Sequence, residues 1–448
     1  PNLSPGVLPQ LVAAGINDWG GVSPVTPDFV NPEAPWPNLQ HLAAESLRAG
    51  KYLYERITVY PAYIVEHQRY IDAKVRPFVL PLVDGQGFAK EDAWLTGSSE
   101  TLPESLSVNE FCGDVAISAD INAIISAVKN GESLTQAQVT RLFSARGNDF
   151  VAVCQAADAL RQQAVGQTVT FAVNRNINYT NICYFKCSFC AFSKGKYSED
   201  LRGQPYDLDK AEIQRRTLEA WQRGASEVCM QGGIHPSYTG QSYIDICHAV
   251  KEAVPDMHIH AFSPLEIWQG AATLNISLSE FLRQLKAAGL ATLPGTAAEV
   301  LHDDVRAILC SDKINTAQWL EVMSEAHKLG IKTTATIMFG HVDQYSHWAA
   351  HLIAIRDLQI KTGGFTEFVP LPFVAEEAPV YRKGQARRGP SLRESILMHA
   401  VARMTLFPHV KNIQASWVKL GRAGVQMALQ AGANDLGGTL MNESITRS

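Results

Sequence analysis

The sequence predicts an α/β protein whose larger part is a partial or TIM-like barrel of repeated βα units. From Thr168 onward, short apolar runs alternate with amphipathic helical stretches, and this alternation is typical of parallel strands joined by helical crossovers. Several unusual loops also follow directly after these runs, and a barrel gathers such loops at one C-terminal mouth. A doubly wound sheet has the same periodicity, so the loops are what favour the barrel.

The composition is that of a globular protein. The chain has 448 residues, of which 46% are hydrophobic and 19% charged, enough for two or three domains with sizeable cores. The net charge of -5 and the scattered lysines and arginines indicate no nucleic-acid partner. No apolar stretch reaches the roughly 18 residues of a membrane span, and the proline-rich start lacks a secretory signal pattern. We therefore expect a cytoplasmic protein that binds neither nucleic acid nor membrane.

A long-range repeat predicts a duplicated domain. The segment AGINDWGG at 14–21 recurs as AGANDLGG at 431–438, a spacing far beyond the roughly 20 to 50 residues of solenoid repeats. We interpret residues 1–84 as the C-terminal remnant of one domain and 119–448 as nearly all of its sister. Residues 85–118, rich in Gly, Ser, Pro and acidic side chains, are predicted to be a linker. A chance match of two glycine-rich helix ends is the alternative.

The second domain is expected to begin with a small helical region, residues 119–167. Periodicity predicts helices at Ala119–Lys129, Thr135–Ala145 and Asp149–Ala164, and Thr135 with Gln138 forms a capping pattern.

Residues 168–448 are expected to form the barrel and its C-terminal extension. The predicted strands are TVTFAV, SEVCM, HIHAF, LATL, KTTATIM, FTEFV and NIQAS. Three of the intervening helices have readable ends, because they open at Asp207, Ser277 and Asn315 and stop at Gly224, Gly289 and Gly330.

Three cysteines follow the first predicted strand as C-x3-C-x2-C: Cys183, Cys187 and Cys190. A structural zinc site takes four ligands, usually as two separated pairs, and a ferredoxin-type cluster also takes four cysteines. Three thiolates on a 4Fe-4S cluster leave one iron without a protein ligand, and that iron can bind a small molecule. A zinc loop or buried free thiols are the alternatives; the other five cysteines are isolated, as in a reducing compartment.

The trio, with aromatic Phe189 just before its last cysteine, resembles the signature of the radical S-adenosylmethionine (SAM) enzymes. The resemblance implies a 4Fe-4S cluster with three cysteine ligands and S-adenosyl-L-methionine on the open iron. Reductive cleavage would give a 5'-deoxyadenosyl radical that abstracts hydrogen from a substrate. The resemblance also implies that Phe189 packs near the adenine, whereas an ordinary core aromatic is the alternative.

Longer segments resemble one family, the Fo synthases of deazaflavin biosynthesis. NRNINYTNICYFKCSFCAFSKGK (174–196), EVCMQGGIHP (227–236) and NDLGGTLMNESITRS (434–448) resemble their CofH-type half, and residues 14–37 resemble the end of their CofG-type half. The CofH-type reaction transfers the 4-hydroxybenzyl unit of L-tyrosine to 5-amino-6-(D-ribitylamino)uracil. The resemblance further implies an electron donor such as flavodoxin or ferredoxin. It also implies a CofG-type activity in a missing part of the same polypeptide, so we expect the chain to be a fragment.

Loops after the next strands supply candidate cofactor contacts. Gln231, Gly232 and Gly233 end the second predicted strand, where glycines permit close backbone approach to the cofactor and unusual φ values; a plain turn is the alternative. Ser263 and Glu266 follow the third strand and are predicted to bind the cofactor, for example through its ribose hydroxyls. A helix-start carboxylate is equally compatible with Glu266.

His258, His260 and Glu299 are the predicted catalytic residues. The two histidines share one face of a strand and, facing the lumen, can bind the uracil or the tyrosine phenol or move the proton lost on rearomatisation. Glu299 can pair with a substrate ammonium or with cofactor hydroxyls. Satisfied core histidines and a helix-start carboxylate are the alternatives.

Other functions share part of this pattern. A menaquinone-pathway relative, aminofutalosine synthase or the cyclase that acts after it, would share the barrel and the trio but not the remnant of a first domain. A non-catalytic iron-sulfur carrier or a zinc-stabilised module would keep the thiols without cleaving S-adenosylmethionine.

Overall fold

The structure is a computed structural model that describes residues 6–22, 39–90, 94–97, 106–111, 115–192, 204–439 and 441. Parts of the linker and of the two terminal segments that carry the family resemblance therefore lie outside the described residues. Within these ranges, none of the helices is both long and apolar enough to cross a membrane.

The N-terminal part consists of short helices and turns. In chain order its elements are α1 (Leu8–Ala13), α2 (Leu39–Arg48), α3 (Pro61–Val65), α4 (His67–Tyr70), α5 (Arg76–Val79) and a 3-10 turn at Leu80–Leu82. Next follow α6 (Ala119–Lys129), α7 (Gln136–Phe143) and α8 (Asn148–Val165).

The remaining elements alternate between strand and helix. They are β1 (Thr170–Ala172), β2 (Asn174–Asn178), α9 (Lys210–Gln222), β3 (Glu227–Gln231), α10 (Gly240–Ala253), β4 (His258–Ala261), α11 (Pro264–Leu274), α12 (Leu278–Ala287), β5 (Thr292–Leu293), α13 (Asp303–Leu309), α14 (Thr316–Lys328), β6 (Lys332–Phe339), α15 (Tyr345–Thr362), β7 (Phe365–Pro372), α16 (Pro379–Arg382), α17 (Leu392–Leu406), β8 (Asn412–Ile413), α18 (Trp417–Leu429) and β9 (Asp435–Gly438).

Strands β2 to β8 form one parallel sheet in sequence order. Residues of β2 to β7, and Gln414 directly after β8, line a single shared cavity, so the sheet curves around it as a barrel wall. The segment at β9 joins the two ends of this wall, because Asp435 pairs with Gln414 on one side and with Thr170 of β1 on the other, and Met441 pairs with Arg175 of β2. The predicted α/β barrel is confirmed.

The first barrel strand differs from the prediction. The apolar run TVTFAV forms β1, which pairs with β9, whereas the first strand of the main sheet is β2, with the sequence NRNIN. A polar sequence can occupy this strand because its side chains meet polar partners: Asn174 donates a hydrogen bond to Glu227, and Arg175 donates to Glu219. The hydrophobic pattern therefore predicted the neighbouring strand β1 and missed the polar strand β2.

The three helices predicted between residues 119 and 167 are present as α6, α7 and α8, and they cover one side of the barrel. Thr135 caps α7 and exchanges hydrogen bonds with Gln138, as the capping pattern predicted. Helix α8 packs on α17, and α7 packs on α15 and α17. Because α17 lies between the barrel and this helical layer, all of its residues are buried and it lacks the solvent-facing stripe of a surface helix.

Helix starts in the barrel follow local capping chemistry. The Ser277 hydroxyl accepts a hydrogen bond from the backbone of Glu280, and the Asn315 side chain accepts one from the backbone of Gln318, as expected. The cap of α9 is Asp209 rather than Asp207. Asp207 instead accepts a hydrogen bond from the Tyr238 hydroxyl.

The predicted linker is partly packed against the barrel. Val83 pairs with Ala89 in a short turn, and the Trp94 side chain is only 2% exposed. The backbone nitrogen of Gly97 donates to the Lys419 carbonyl at 2.7 Å. These residues are not a free spacer, so the linker prediction is wrong for Gly85–Lys90 and for 94–97.

The two copies of the repeat share a backbone geometry. In the first copy, Gly15 and Gly20 have φ values of +95° and +73°, and their counterparts Gly432 and Gly437 have +104° and +70°. In each copy the aspartate side chain accepts a hydrogen bond from the glycine two residues later, at 2.6 Å. This agreement supports the proposal that the chain contains two copies of one domain end.

Two buried histidines predict an acid limit to stability. His351 and His399 are fully buried, and burial lowers the pKa of His351 to about 3 and that of His399 to about 4. The unfolded chain binds protons at these sites below the ordinary value of about 6.5, so stability should fall as the pH drops from 6.5 toward 3. Urea unfolding at a series of pH values should show this fall, with a shallower slope for His399→Asn. Equal slopes would contradict this account.

Candidate active site

The barrel encloses a cavity of about 620 Å³. Alternate side chains of the strands line it, because successive residues of a strand face opposite sides of the sheet. Its upper end lies at the carboxyl ends of the strands, among Phe189, Cys190, Gln231 and Glu299. Its floor lies at their amino ends. A site at the carboxyl end of barrel strands is the usual position of an active site in this architecture.

The cysteine loop follows β2 and is anchored on both sides. The backbone nitrogen of Tyr184 donates to Ile234 at 3.2 Å, and that of Ser188 donates to Leu309 at 2.8 Å. The backbone nitrogen of Lys186 donates to the Asp312 carboxylate at 2.9 Å. These contacts hold Cys183, Cys187 and Cys190 within one short loop at the cavity mouth.

The thiols need a metal to ionise. Burial raises the pKa of Cys183 and raises that of Cys187 to about 12, so both are protonated at neutral pH unless a metal displaces the proton. Among the residues that the structure describes, no three Cys, His, Asp or Glu side chains converge to hold one ion. A 4Fe-4S cluster needs no such convergence because each thiolate binds a different iron. Three partly buried thiols in one loop, with Cys190 at the cavity, fit that group.

A buried ion pair that the sequence did not reveal lies beside this loop. The Lys313 ammonium contacts the Glu299 carboxylate at 2.9 Å, and both side chains are about nine-tenths buried. Burial opposes charge on both groups, but mutual attraction prevails, raising the pKa of Lys313 and lowering that of Glu299. Glu299 therefore lines the cavity as an ionised hydrogen-bond acceptor. Its backbone φ of +43° is not helical, which excludes the predicted alternative of an ordinary helix-start carboxylate.

Phe189 lies between this ion pair and the cavity. Its ring lines the cavity, and the Lys313 ammonium lies 5.1 Å from the ring centroid. The ring thus covers the buried charge on one side and leaves an apolar face for a flat ligand on the other. An adenine contact stays a prediction.

The glycines after β3 are required by protein packing. A Cβ atom on Gly232 would lie 2.3 Å from the Tyr179 ring, and one on Gly233 would lie 2.3 Å from the Ile182 carbonyl oxygen. Neither glycine has a positive φ, so the expectation of an unusual backbone conformation is wrong. Their role is close approach to the segment that leads into the cysteine loop. Gln231, in contrast, lines the cavity, and its contact with the cofactor stays a prediction.

Ser263 and Glu266 form a capping box at the start of α11. The Glu266 carboxylate accepts hydrogen bonds from the Tyr179 hydroxyl, the Gly232 backbone and both the backbone and hydroxyl of Ser263. Glu266 is 2% exposed and neither residue lines the cavity. Glu266 therefore holds the loop after β3 in place through the Gly232 backbone, and neither side chain lies in the cavity where the cofactor was predicted to bind.

His258 and His260 line the cavity, as the shared-face prediction requires. The hydroxyl of Thr292 bridges them, at 2.8 Å from His258 Nε2 and 2.7 Å from His260 Nδ1. A hydroxyl has one proton to donate, so one of these nitrogens accepts it and the other donates. Burial lowers the pKa of His260 to about 4, so its imidazole is neutral at physiological pH.

Family models match most of the barrel. The radical SAM superfamily matches residues 177–353, and the CofH/MqnC C-terminal region matches residues 362–448. Among solved structures, methylornithine synthase (PylB) has a TM-score of 0.56 at 19% identity and covers 72% of this chain and 88% of its own. The hydrogenase maturase HydG from Carboxydothermus hydrogenoformans has a TM-score of 0.56 at 16% identity and covers 73% of each chain. At these identities the likeness shows the fold alone.

Curated relatives are closer in sequence. The FO synthase of Streptomyces coelicolor is 44% identical over 100% of this chain and 56% of its own length, and that of Mycobacterium tuberculosis is 43% identical over the same shares. The chain thus spans about half the length of these relatives. The 5-amino-6-(D-ribitylamino)uracil–L-tyrosine 4-hydroxyphenyl transferase of Methanocaldococcus jannaschii is 50% identical over 65% of this chain and 81% of its own. The chain therefore belongs to the CofH-type family of the radical SAM superfamily, which includes this transferase and the matching half of the FO synthases.

Proposed function

We propose that the chain transfers the 4-hydroxybenzyl unit of L-tyrosine to 5-amino-6-(D-ribitylamino)uracil in deazaflavin coenzyme biosynthesis. The observation that carries the proposal is the three-cysteine loop at the mouth of a barrel cavity of about 620 Å³, in a chain that is 50% identical over 65% of its length to a transferase named for these substrates. A cavity of this size lies in the range of small-molecule sites, and its lining is rich in hydroxyl, amide, imidazole and carboxyl groups.

The family's cofactors are a 4Fe-4S cluster and S-adenosyl-L-methionine. Cys183, Cys187 and Cys190 would hold the cluster, and the bound pair would supply a carbon-centred radical that removes hydrogen from the tyrosine amino group. Gln231 and Phe189 face the space in which the methionine and adenine parts would lie. The Leu309 carbonyl and the Asp312 carboxylate fix the cysteine loop by accepting hydrogen bonds from the backbone nitrogens of Ser188 and Lys186.

Glu299 and the histidines would position the substrates. The ionised Glu299 carboxylate accepts hydrogen bonds from an amino group or a ribose hydroxyl at the upper cavity. In the tautomer whose Nδ1 donates to Thr292, the neutral imidazole of His260 has Nε2 as its proton acceptor. It would take the proton that the radical adduct of the 4-hydroxybenzyl unit and the pyrimidine releases together with one electron, which the cluster would take back. Breaking the Cα–Cβ bond of tyrosine leaves a glycine-derived imine, which hydrolyses in water.

His260→Ala should separate cofactor cleavage from product formation. Removal of a general base typically slows its step by about 10²- to 10⁴-fold, so adduct formation should fall while 5'-deoxyadenosine formation persists. Mass spectrometry of both products, with Cys247→Ala as a control outside the cavity, measures the split. Equal loss of both products would place His260 with the cofactor instead.

The proposed function also requires two partners, an electron donor and a second enzymatic activity. An electron donor such as flavodoxin or ferredoxin would reduce the cluster in the cytoplasm. A CofG-type activity, in the part of the longer relatives that this chain does not span, would close the deazaflavin ring. Residues 1–84 would be the end of that first domain.

An anaerobic assay tests the proposed function. The reconstituted protein receives dithionite, S-adenosylmethionine, tyrosine and the ribitylaminouracil, and 5'-deoxyadenosine and the adduct are followed by mass spectrometry. We expect both products, each dependent on both substrates. Deoxyadenosine without the adduct would keep the radical chemistry but contradict the coupling of tyrosine to the ribitylaminouracil, and would favour the menaquinone-pathway alternative. A cluster-loaded protein that makes neither product would be a carrier.

A further inference from the structure

The floor of the cavity lies opposite the cysteine loop and is acidic. Glu227 begins β3 and pairs in register with Asn174 and His258, which begin β2 and β4. Glu367, near the start of β7, and Asp435, at the start of β9, line the same end of the cavity. The floor therefore carries carboxyl groups on three strands, and none of these three residues has been assigned a role in the site so far.

Two of these carboxylates already have partners within the protein. Glu227 accepts a hydrogen bond from the Asn174 amide at 3.2 Å and lies 3.8 Å from His258 Nε2. Asp435 accepts from the Gly437 backbone at 2.6 Å and from the Thr170 hydroxyl. Their hydrogen bonds serve the closure of the barrel wall at β1, β2 and β9.

Glu367 differs from both. In the part of the chain that the structure describes, no donor or cation reaches its carboxyl group; the influences on it are burial and the neighbouring Asp435 and Glu227. A polar group that faces a cavity without a protein partner is costly to keep there. Its hydrogen-bonding capacity is therefore available to whatever fills the cavity.

The surroundings of Glu367 favour its protonated form. Burial, followed by repulsion from Asp435 and Glu227, raises the pKa of Glu367 to about 8. The other titratable groups that line the cavity in the described residues are Glu299, His258, His260, Lys419 and the thiols of Cys190 and Cys229. At neutral pH the group presents one O–H donor beside one carbonyl acceptor.

We propose that Glu367 is a substrate-binding residue that pairs with the adjacent N–H and C=O groups of the pyrimidine acceptor. A carboxylic acid and such a ring edge have complementary donors and acceptors, so two parallel hydrogen bonds form at once. The inference rests on the proposed function and refines it: the pyrimidine lies on the floor, and the upper cavity between the cysteine loop and His260 is left for tyrosine.

Direct binding tests this placement. The probe is 6-(D-ribitylamino)uracil, which lacks the reactive 5-amino group, titrated calorimetrically into the reconstituted protein at pH 6.5 and pH 9. Wild-type affinity should fall as the pH rises through the Glu367 pKa, because ionisation removes the O–H donor. At one pH unit above that pKa about one tenth of the carboxyl stays protonated, which predicts an affinity loss of about tenfold.

Glu367→Gln is the matched control. Its amide keeps one donor and one acceptor that do not titrate, so any remaining pH dependence reports the ionisation of the probe and of the other titratable groups that line the cavity. Its affinity at pH 6.5 should stay within about threefold of wild type, whereas Glu367→Ala should bind about tenfold or more weakly since a hydrogen-bonded pair is lost. Thermal unfolding of each variant verifies that the fold is retained.

The possible outcomes distinguish a failure of this inference from a failure of the proposed function. If wild type and both variants bind the probe equally, with the same pH profile, Glu367 does not contact the pyrimidine and only this inference fails. If folded, cluster-loaded wild type does not bind the probe at either pH, the proposed function fails as well. A tenfold pH effect in wild type that is absent from Glu367→Gln supports the pairing.

Discussion

Cys187→Ala is expected to abolish the iron-sulfur cluster and the activity together. Two thiolates cannot retain a cluster whose three protein ligands lie in one short loop, and the Cys183 thiol returns to the protonated state that its burial favours by raising its pKa. The loop itself should keep its position, because the contacts that anchor it come from Tyr184, Lys186 and Ser188.

Cys247→Ala is the matched control for this experiment. Cys247 is a buried free cysteine, whereas Cys187 is partly buried, and it lies on α10, away from the trio. The control should keep the visible sulfur-to-iron charge-transfer absorbance and the iron content of the wild type. Retention of both signals in Cys187→Ala would refute the assignment of the cluster ligands.

Asp84→Ala is expected to be strongly destabilising. Asp84 is 4% exposed and lies between two guanidinium groups, with Arg393 Nη2 at 3.1 Å and Arg146 on its other side. Removing one partner from a buried ion network typically costs about 3–5 kcal/mol, because the remaining charges stay buried without compensation. The effect should appear in the free energy of unfolding measured with urea.

An exposed ion pair supplies the comparison for this variant. Asp120 contacts Arg141 at 2.6 Å, but its side chain is 54% exposed, so Asp120→Ala should cost about 1 kcal/mol or less. Equal effects of the two substitutions would mean that the segment at Asp84 is not an integral part of the fold. A large difference would show that residues assigned to the end of the first domain are needed to stabilise the second.

Local features were predictable because they depend on neighbouring residues. The cap at Thr135 uses a partner three residues away, and the caps at Ser277 and Asn315 do the same. The cysteine loop was also readable, since its three thiols lie within eight residues. The strand at β2 was misplaced because its polar side chains face partners on β3 and α9 that the local pattern does not reveal.

Partners across the barrel were not predictable from the sequence. Lys313 meets Glu299 only because α13 folds back beside the cysteine loop, and Thr292 reaches both histidines only because β4 and β5 are adjacent. The Ser263 and Glu266 pair shows the converse. The spacing of Ser263 and Glu266 is compatible both with a capping box and with a carboxylate at the mouth of the barrel. Only the burial of Glu266 shows that the capping box is the correct interpretation.

The fate of the two carbon atoms at the broken bond of tyrosine tests the account most directly. Tyrosine labelled with ¹³C at Cβ, and in a second sample at Cα, is supplied with the ribitylaminouracil and S-adenosylmethionine to the reduced protein. The account predicts the Cβ label in the pyrimidine adduct and the Cα label in glyoxylate, the hydrolysis product of the imine. Cα label in the adduct, or no label in either product from cluster-loaded protein, would contradict it.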